Sequence, residues 1–374
     1  MVLLCWVLII PMVRRYFLDF GWRWLYMLLL SFSVSFCLTP VFGWLAKRLN
    51  ILDNPGSRKI HAAATPLLGG AAVFTAFFTA ILINGIFSLK LLSILGASAL
   101  LFAVSLSDDC KDISAGIKLL AQIVCSVLVM GFGIVLKVVP DNLGAIAQVG
   151  NYLLTLFWII GITNAMNFFD GMDGLASGLG AIISFFLGWV AFQTDQPFLG
   201  WIAVAMLGSC LGFLPYNFRR NGKALIFLGD GGSTVMGFIL ACVAVYGDWA
   251  EASPVVALAS PVLIFWVLIF DMFHITVDRI LTGKVLNLRQ WIEYVGKDHL
   301  HHRIAYALGG QKKSVLFIYL LSFCLGTSAL LIRNAGLFDA VLLLLQASIF
   351  VVLITILERR GRTLAMENGL NDPP

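Results

Sequence analysis

Apolar runs of about 20 residues recur from one end of this chain to the other, and no other feature constrains its fold as much. They lie near 24–46, 67–87, 91–106, 117–138, 149–168, 175–193, 198–216, 231–249, 255–280, 314–332 and 337–357. Lipid offers no partner to an unpaired amide, so such runs must close their own hydrogen bonds as helices. The expected fold is all-α: a polytopic integral membrane protein with about 10–11 transmembrane helices, forming a single domain over 1–374. Hydrophobic residues make up 60 % of the chain and charged ones 12 %, where a soluble domain carries about 25 % charge. Those proportions exclude a disordered chain, a collagen-like repeat and a small secreted disulfide scaffold. The seven cysteines are scattered without a CxxC pair, which argues against structural zinc. No basic, aromatic-interleaved stretch points to nucleic acid.

Lysine and arginine counts orient the chain. One set of alternate loops (47–66, 107–116, 169–174, 217–229, 279–313 and the tail from 358) holds 18 of them, and the other set holds six. The first set is expected in the cytoplasm, with the N-terminus outside and the C-terminus inside. Residues 1–23 form an N-terminal extension whose apolar part, Val2–Val13, is short for a span. A signal peptide fits it poorly, because Arg14 and Arg15 follow the apolar stretch. Residues 282–313 form a long cytoplasmic loop.

Four polar clusters fall on the cytoplasmic side. LSDDCKD at 106–112 carries Asp108, Asp109 and Asp112, and TNAMNFFDGMDGLASG at 163–178 carries Asn164, Asn167, Asp170 and Asp173. FLGDGGST at 227–234 carries Asp230, and DHLHHR at 298–303 carries His299, His301, His302 and Arg303. A single carboxylate at a helix end ordinarily caps the helix or sits in water. Adjacent Asp108 and Asp109 are harder to dismiss, since neighbouring carboxylates repel unless a cation offsets them. Single glycines end helices routinely, but that does not account for two Asp-Gly steps behind two asparagines. Carboxylate and amide oxygens suit Mg²⁺, which takes one or two of them together with substrate phosphate oxygens. Glycine turns can expose amides to phosphate, and basic side chains can neutralise what charge remains. The combination suits phosphoryl transfer on a diphosphate, between one substrate from the cytosol and one dissolved in the bilayer.

Read in order, NPGSRKIH at 54–61, TPLLGG at 65–70, the DDxxD of 108–112, NAMNFFDGMDGLASG at 164–178, LGDGGS at 228–233 and HLHHR at 299–303 resemble the polyprenyl-phosphate N-acetylhexosamine-1-phosphate transferases. The resemblance covers the chain roughly from Phe42 onward. It implies transfer of a sugar-1-phosphate from a UDP-sugar to polyprenyl (undecaprenyl) phosphate, with release of UMP and a requirement for Mg²⁺, for which Mn²⁺ could substitute. It implies Asp230 as the main metal ligand, assisted by Asn167. The catalytic acids would be Asp108, Asp109 and Asp112, with Asp109 as base. The substrate-binding set would be Lys59, His61, Asn164, Asp170, Asp173, His299, His301, His302 and Arg303. Asp271 matches an intramembrane aspartate of the family. The partners implied are a UDP-N-acetylhexosamine, the polyprenyl phosphate and the bilayer, with a homodimer left open and no nucleic acid.

Where relatives carry a short SPFSPD-like stretch, this chain reads GKVLNLRQWIEYVGKDH, longer and with an aromatic, amphipathic centre at Trp291–Tyr294. HLHHR, with its arginine, is closer to the N-acetylhexosamine group than to the three-histidine pattern of the pentapeptide translocases. UDP-GlcNAc or a close relative is the expected donor, and phospho-MurNAc-pentapeptide transfer is the alternative. A rival from another class is a secondary transporter with Asp271 and His274 as a proton relay. The cytoplasmic clustering of the acids argues against it, and the intact motifs argue against an inactive scaffold.

Overall fold

Each apolar run winds into a helix or, in one case, a bent pair. The computed structural model describes residues 2–53, 64–85, 87–111, 113–249, 254–287, 290, 294, 296, 298–332 and 336–367. The sequence-derived candidates Lys59, His61 and Asp112, and residues 291–293 of the long loop, lie outside them. The chain forms two compact units, Met1–Gly247 and Asp248–Pro374, and each is described by itself.

The first unit contains α1 (Val2–Ile9), α2 (Pro11–Asp19), α3 (Arg23–Arg48), α4 (Gly69–Asn84), α5 (Leu89–Cys110), α6 (Ala115–Gly131), α7 (Ala145–Phe168), α8 (Leu175–Gln193), α9 (Pro197–Asn217) and α10 (Asp230–Tyr246). The second contains α11 (Pro254–Ile264), α12 (Trp266–Leu281), α13 (Leu300–Ala307), α14 (Gln311–Ile332) and α15 (Leu337–Glu367). Among the described residues, seven helices are long and apolar enough to cross a membrane: α3, α5, α7, α8, α9, α14 and α15. A bent pair, α11 with α12, makes an eighth, and α4, α6 and α10 are shorter apolar helices. This is an all-α, multi-pass membrane protein.

Two expected spans differ in outline. The run 117–138 leaves the helix at Gly131, because Gly133 turns left-handed at φ +82. Beyond it residues 134–138 form no regular element, and Asn151 Oδ1 accepts the amides of Val138 (3.0 Å) and Val139 (2.8 Å). The run 255–280 is two helices that meet at Phe265 with a 77° bend. Pro261 lies one turn before the break, and its carbonyl still accepts the Phe265 amide at 2.9 Å.

Small residues set the close approaches in the first unit. Gly208 and Gly212, one turn apart on α9, lie against the backbone of α3 at Leu28 and Phe32. Ser35 Oγ on α3 donates to the Ser209 carbonyl at 2.7 Å. In lipid such packing replaces the hydrophobic drive as the source of helix association. α10 is buried from Gly231 to Val245 and packs against α4, α5, α7 and α8. Its first turn is fixed by chain pairing. A two-residue bridge joins Leu52–Asp53 to Thr65–Pro66, the Phe227 amide donates to the Pro66 carbonyl (2.8 Å), and the Gly70 amide donates to the Leu228 carbonyl (2.7 Å).

Candidate active site

The first unit gathers its acids around the N-terminus of α10. Gly229 precedes that helix with φ +76, and a Cβ there would lie 2.6 Å from the Leu67 carbonyl oxygen and 2.9 Å from Asp109 Oδ2. Only glycine meets both demands. Asp109, at the end of α5, accepts the backbone N–H of Asp230 (2.8 Å) and of Gly231 (3.0 Å) through its two oxygens. A carboxylate from another helix thus caps α10 at the positive end of its dipole. The amides of Gly232 and Ser233 donate to the Gly229 carbonyl at 3.0 and 3.1 Å. The expected phosphate cradle of glycine amides is therefore not what this turn provides. Its amides are already engaged, and Gly232 instead lets α10 meet Gly70 of α4 backbone to backbone.

Asp230 projects from the capped turn. Its Oδ1 accepts from Asn167 Nδ2 at 3.1 Å, and its Oδ2 accepts from Lys118 Nζ at 2.9 Å. Lys118, in the first turn of α6, is also ion-paired to Asp108. Asp108 is anchored in turn by the Ile113 amide, 2.8 Å from its Oδ1. Asn167 gives a second bond to Ser233 Oγ at 3.0 Å, which ties α7 to α10. Asp170 receives the Gly229 amide and lies within electrostatic reach of Asp109 and Asp230. Asp108, Asp109, Asp170 and Asp230 thus crowd around one ammonium, more acids than Lys118 alone could offset were all of them ionised. Their oxygens, with the amide of Asn167, are hard donors of the kind Mg²⁺ takes. Among the described residues, no three acidic, histidine or cysteine side chains form a chelating group on their own.

Two sequence candidates near this cluster also tie neighbouring segments together. Asn164 exchanges hydrogen bonds with Gln122 of α6 (2.6 and 3.2 Å) and also donates to the Ile160 carbonyl at 2.8 Å. Asp173 Oδ2 accepts the Ala224 amide at 2.8 Å and so holds the segment that leads to α10. Buried Asn217 has the same task. Its Oδ1 accepts from the Gly174 amide (2.8 Å), and its Nδ2 donates to the Ile226 carbonyl (3.0 Å).

The second unit carries the histidines of DHLHHR. Asp271 of α12 is fully buried; its Oδ2 lies 2.7 Å from His299 Nδ1 and its Oδ1 accepts the Leu300 amide at 2.6 Å. Arg279, two turns on, grips Asp298 with Nε and Nη2, each at 2.8 Å, and lies 4.4 Å from the Tyr294 ring. Burial alone would raise the Asp298 carboxyl, but the bonds and charge of Arg279 outweigh it and hold the group below its ordinary value. His301 is buried between His299 and His302, with ring centroids at 5.8 and 4.2 Å. Burial first, then its histidine and arginine neighbours, pushes its pKa well below the ordinary imidazole value. Its backbone carbonyl accepts from Ser314 Oγ at 2.8 Å, which fastens α13 to α14.

Comparison with known proteins fits this geometry. A family model described as glycosyl transferase family 4 matches residues 91–248. A Bacillus subtilis protein named "Probable undecaprenyl-phosphate N-acetylglucosaminyl 1-phosphate transferase" is 30 % identical over 335 residues, 87 % of this chain and 89 % of the relative. The chain belongs to glycosyl transferase family 4. A Mycobacterium leprae relative, named decaprenyl-phosphate N-acetylglucosaminephosphotransferase, is 32 % identical over 77 % of this chain and 78 % of its own. An Escherichia coli K12 relative, named undecaprenyl-phosphate alpha-N-acetylglucosaminyl 1-phosphate transferase, is 29 % identical over 76 % and 77 %. The family match spans the Asp108, Lys118, Asn167 and Asp230 cluster entire. Lys118, Gln122 and Asn217 escaped the sequence reading. The loop count left Lys118 out because it falls just inside an apolar run, where a lysine reads as a snorkelling side chain.

Proposed function

We propose that this glycosyl transferase family 4 protein transfers N-acetylglucosamine-1-phosphate from a UDP-sugar to polyprenyl phosphate, from the cytoplasmic face of the membrane. The observation that carries the reading is the Asp108–Lys118–Asp230 arrangement at the capped end of α10. The names of the relatives support the acceptor and the sugar. An oxygen of the polyprenyl phosphate attacks the β-phosphorus of the donor and forms a new P–O bond. The bond from that phosphorus to the bridging oxygen breaks, and UMP leaves with the electron pair. A phosphate monoester has its second pKa near 6, so the attacking group needs little help from a base. Both Asp109 oxygens hold α10 amides, and its first contribution is to fix where Asp230 stands. Lys118 brings a positive charge beside the acids, where a diphosphate must be neutralised. Asp230, with Asn167 and Asp108 beside it, is the set that would hold Mg²⁺, which when bound would neutralise diphosphate charge and stabilise departing UMP.

The transporter reading relied on Asp271 and His274, but both Asp271 oxygens are engaged by His299 and Leu300. The test is incubation of purified protein with labelled UDP-GlcNAc, undecaprenyl phosphate and Mg²⁺. Solvent-extractable label with equimolar UMP is expected. Transfer only from UDP-MurNAc-pentapeptide would overturn the sugar assignment, and no transfer from either donor would overturn the function. UMP exchange into UDP-GlcNAc without lipid would indicate a two-step route.

A further inference from the structure

At the end of the first unit opposite Asp230, two arginines lie within electrostatic reach of each other and pair with no described carboxylate. The ends of the helices define that location. Asn84 closes α4, whose first turn touches Gly232, and Tyr246 closes α10, whose first residue is Asp230. Arg14 of α2 donates through Nη2 to the Asn84 carbonyl at 3.1 Å. Arg23, the first residue of α3, stacks 4.5 Å above the Trp201 ring of α9. These contacts engage one nitrogen of Arg14 and one face of Arg23. Among the described residues, Arg14 Nε and Arg23 Nη1 are buried with no hydrogen-bond partner. No described carboxylate pairs with either guanidinium, and the two charges repel each other. Asp19, the acid of α2, is exposed and four residues from Arg15, on that residue's side of the helix.

Two buried guanidinium donors around a net positive charge form the complement of a phosphate. The surroundings say which phosphate. Tyr16 and Phe20 follow Arg14, Trp22 and Trp24 flank Arg23, and all four are exposed; tryptophan and tyrosine concentrate at the headgroup level of a bilayer. α2 is too short to span, and its sequence PMVRRYFLD sets arginines beside large apolar groups, as in helices that lie in the interface. We propose that Arg14 and Arg23 form a binding site for the headgroup phosphate of an anionic phospholipid, in the leaflet opposite the catalytic site. A zwitterionic lipid brings its own cation and leaves the net charge of the two guanidiniums unchanged, whereas an anionic lipid offsets one of the two charges. A bound lipid there would bridge α2, α3, α4 and α9, and so hold the N-terminal helices against the bundle.

The experiment is a thermal-unfolding titration of the delipidated full chain in detergent with phosphatidylglycerol, phosphatidylcholine or inorganic phosphate. Phosphatidylglycerol should raise Tm saturably, and the other two should not. R14Q/R23Q should weaken the apparent affinity about thirtyfold, roughly fivefold for each charge, whereas R15Q should respond like the unaltered protein. An undiminished response in R14Q/R23Q, or equal stabilisation by phosphatidylcholine or by inorganic phosphate, would overturn the proposal. Should the double variant fail to fold, native mass spectrometry of the unaltered protein decides. One retained phosphatidylglycerol is expected, and none would refute the site.

Discussion

Lys118 holds two carboxylates with one ammonium, and its side chain is 34 % exposed. In Lys118→Met, Asp108 and Asp230 would face each other with no basic neighbour, and the charge beside the diphosphate would be lost. Because the site is open to solvent, the stability loss should stay near about 1 kcal/mol. Turnover should fall about 10²–10³-fold, the effect of removing one preorganised charge donor. Apparent Mg²⁺ affinity should be unchanged or tighter, since the ammonium and the ion serve the same acids; a weakened affinity would make Lys118 a support for the metal. His301 gives the matching test outside the membrane spans. Its folded pKa lies below the ordinary value, so below about pH 6.5 the unfolded chain binds the proton more readily. Stability contributed by neutral His301 is therefore complete above that pH and declines as the pH falls toward the folded value. Tm should drop between pH 7 and 5.5 as this group removes at most about 1.4 kcal/mol of stability per pH unit, and His301→Gln should flatten that slope. An identical slope in the variant would assign the effect to other groups.

Among the elements, the α3–α9 contact depends on two missing side chains. A Cβ on Gly212 would meet the Phe32 carbonyl, and lie 2.8 Å from Ser35 Cβ and 3.0 Å from the Phe36 amide. The backbone there cannot yield as a flexible side chain would, so Gly212→Ala should cost about 1–3 kcal/mol. Gly96, inside α5, has nothing within 4 Å of its would-be Cβ, and Gly96→Ala should be neutral or stabilising by up to about 1 kcal/mol. Thermal unfolding of the two variants compares them directly, and equal effects would remove the close-approach argument. Helices were the legible part of this fold. The run read at 175–193 is the helix Leu175–Gln193, because hydropathy and length act on each segment alone. Their ends and bends were less legible, since Ile134–Val139 is as apolar as the helix before it and only Asn151 and the left-handed Gly133 mark the change. The site divides in the same way. Asp108, Asp109 and Asp230 stood out as charges near lipid, whereas Lys118, Gln122 and Asn217 take much of their meaning from partners distant in sequence, 112 residues to Asp230, 42 to Asn164 and 43 to Gly174.

Sidedness is the property of the whole molecule on which the proposed chemistry depends, because a nucleotide sugar and a lipid phosphate must reach one membrane face. In the first unit α4, α6, α8 and α10 begin near the Asp230 end, and α3, α5, α7 and α9 finish there. One measurement at that end therefore orients every span of the unit. The chain supplies a reporter in Cys110, exposed at the last residue of α5 and next to Asp109. Cys125, Cys210 and Cys242 are buried and out of reach of a polar reagent. A variant that keeps Cys110 and replaces Cys5, Cys37 and Cys324 should react with a membrane-impermeant maleimide in inverted vesicles and not in right-side-out cells. Lys137→Cys, at the exposed opposite end beyond α6, should give the reverse pattern once Cys110 is replaced. The expectation rests on the 18-to-six imbalance of basic residues between the two sets of loops. Arg14 and Arg23 are two of the six basic residues that run against this imbalance, and an anionic headgroup would offset them. Labelling of Cys110 from outside the cell would invert the topology and take the Asp230 site away from its proposed donor.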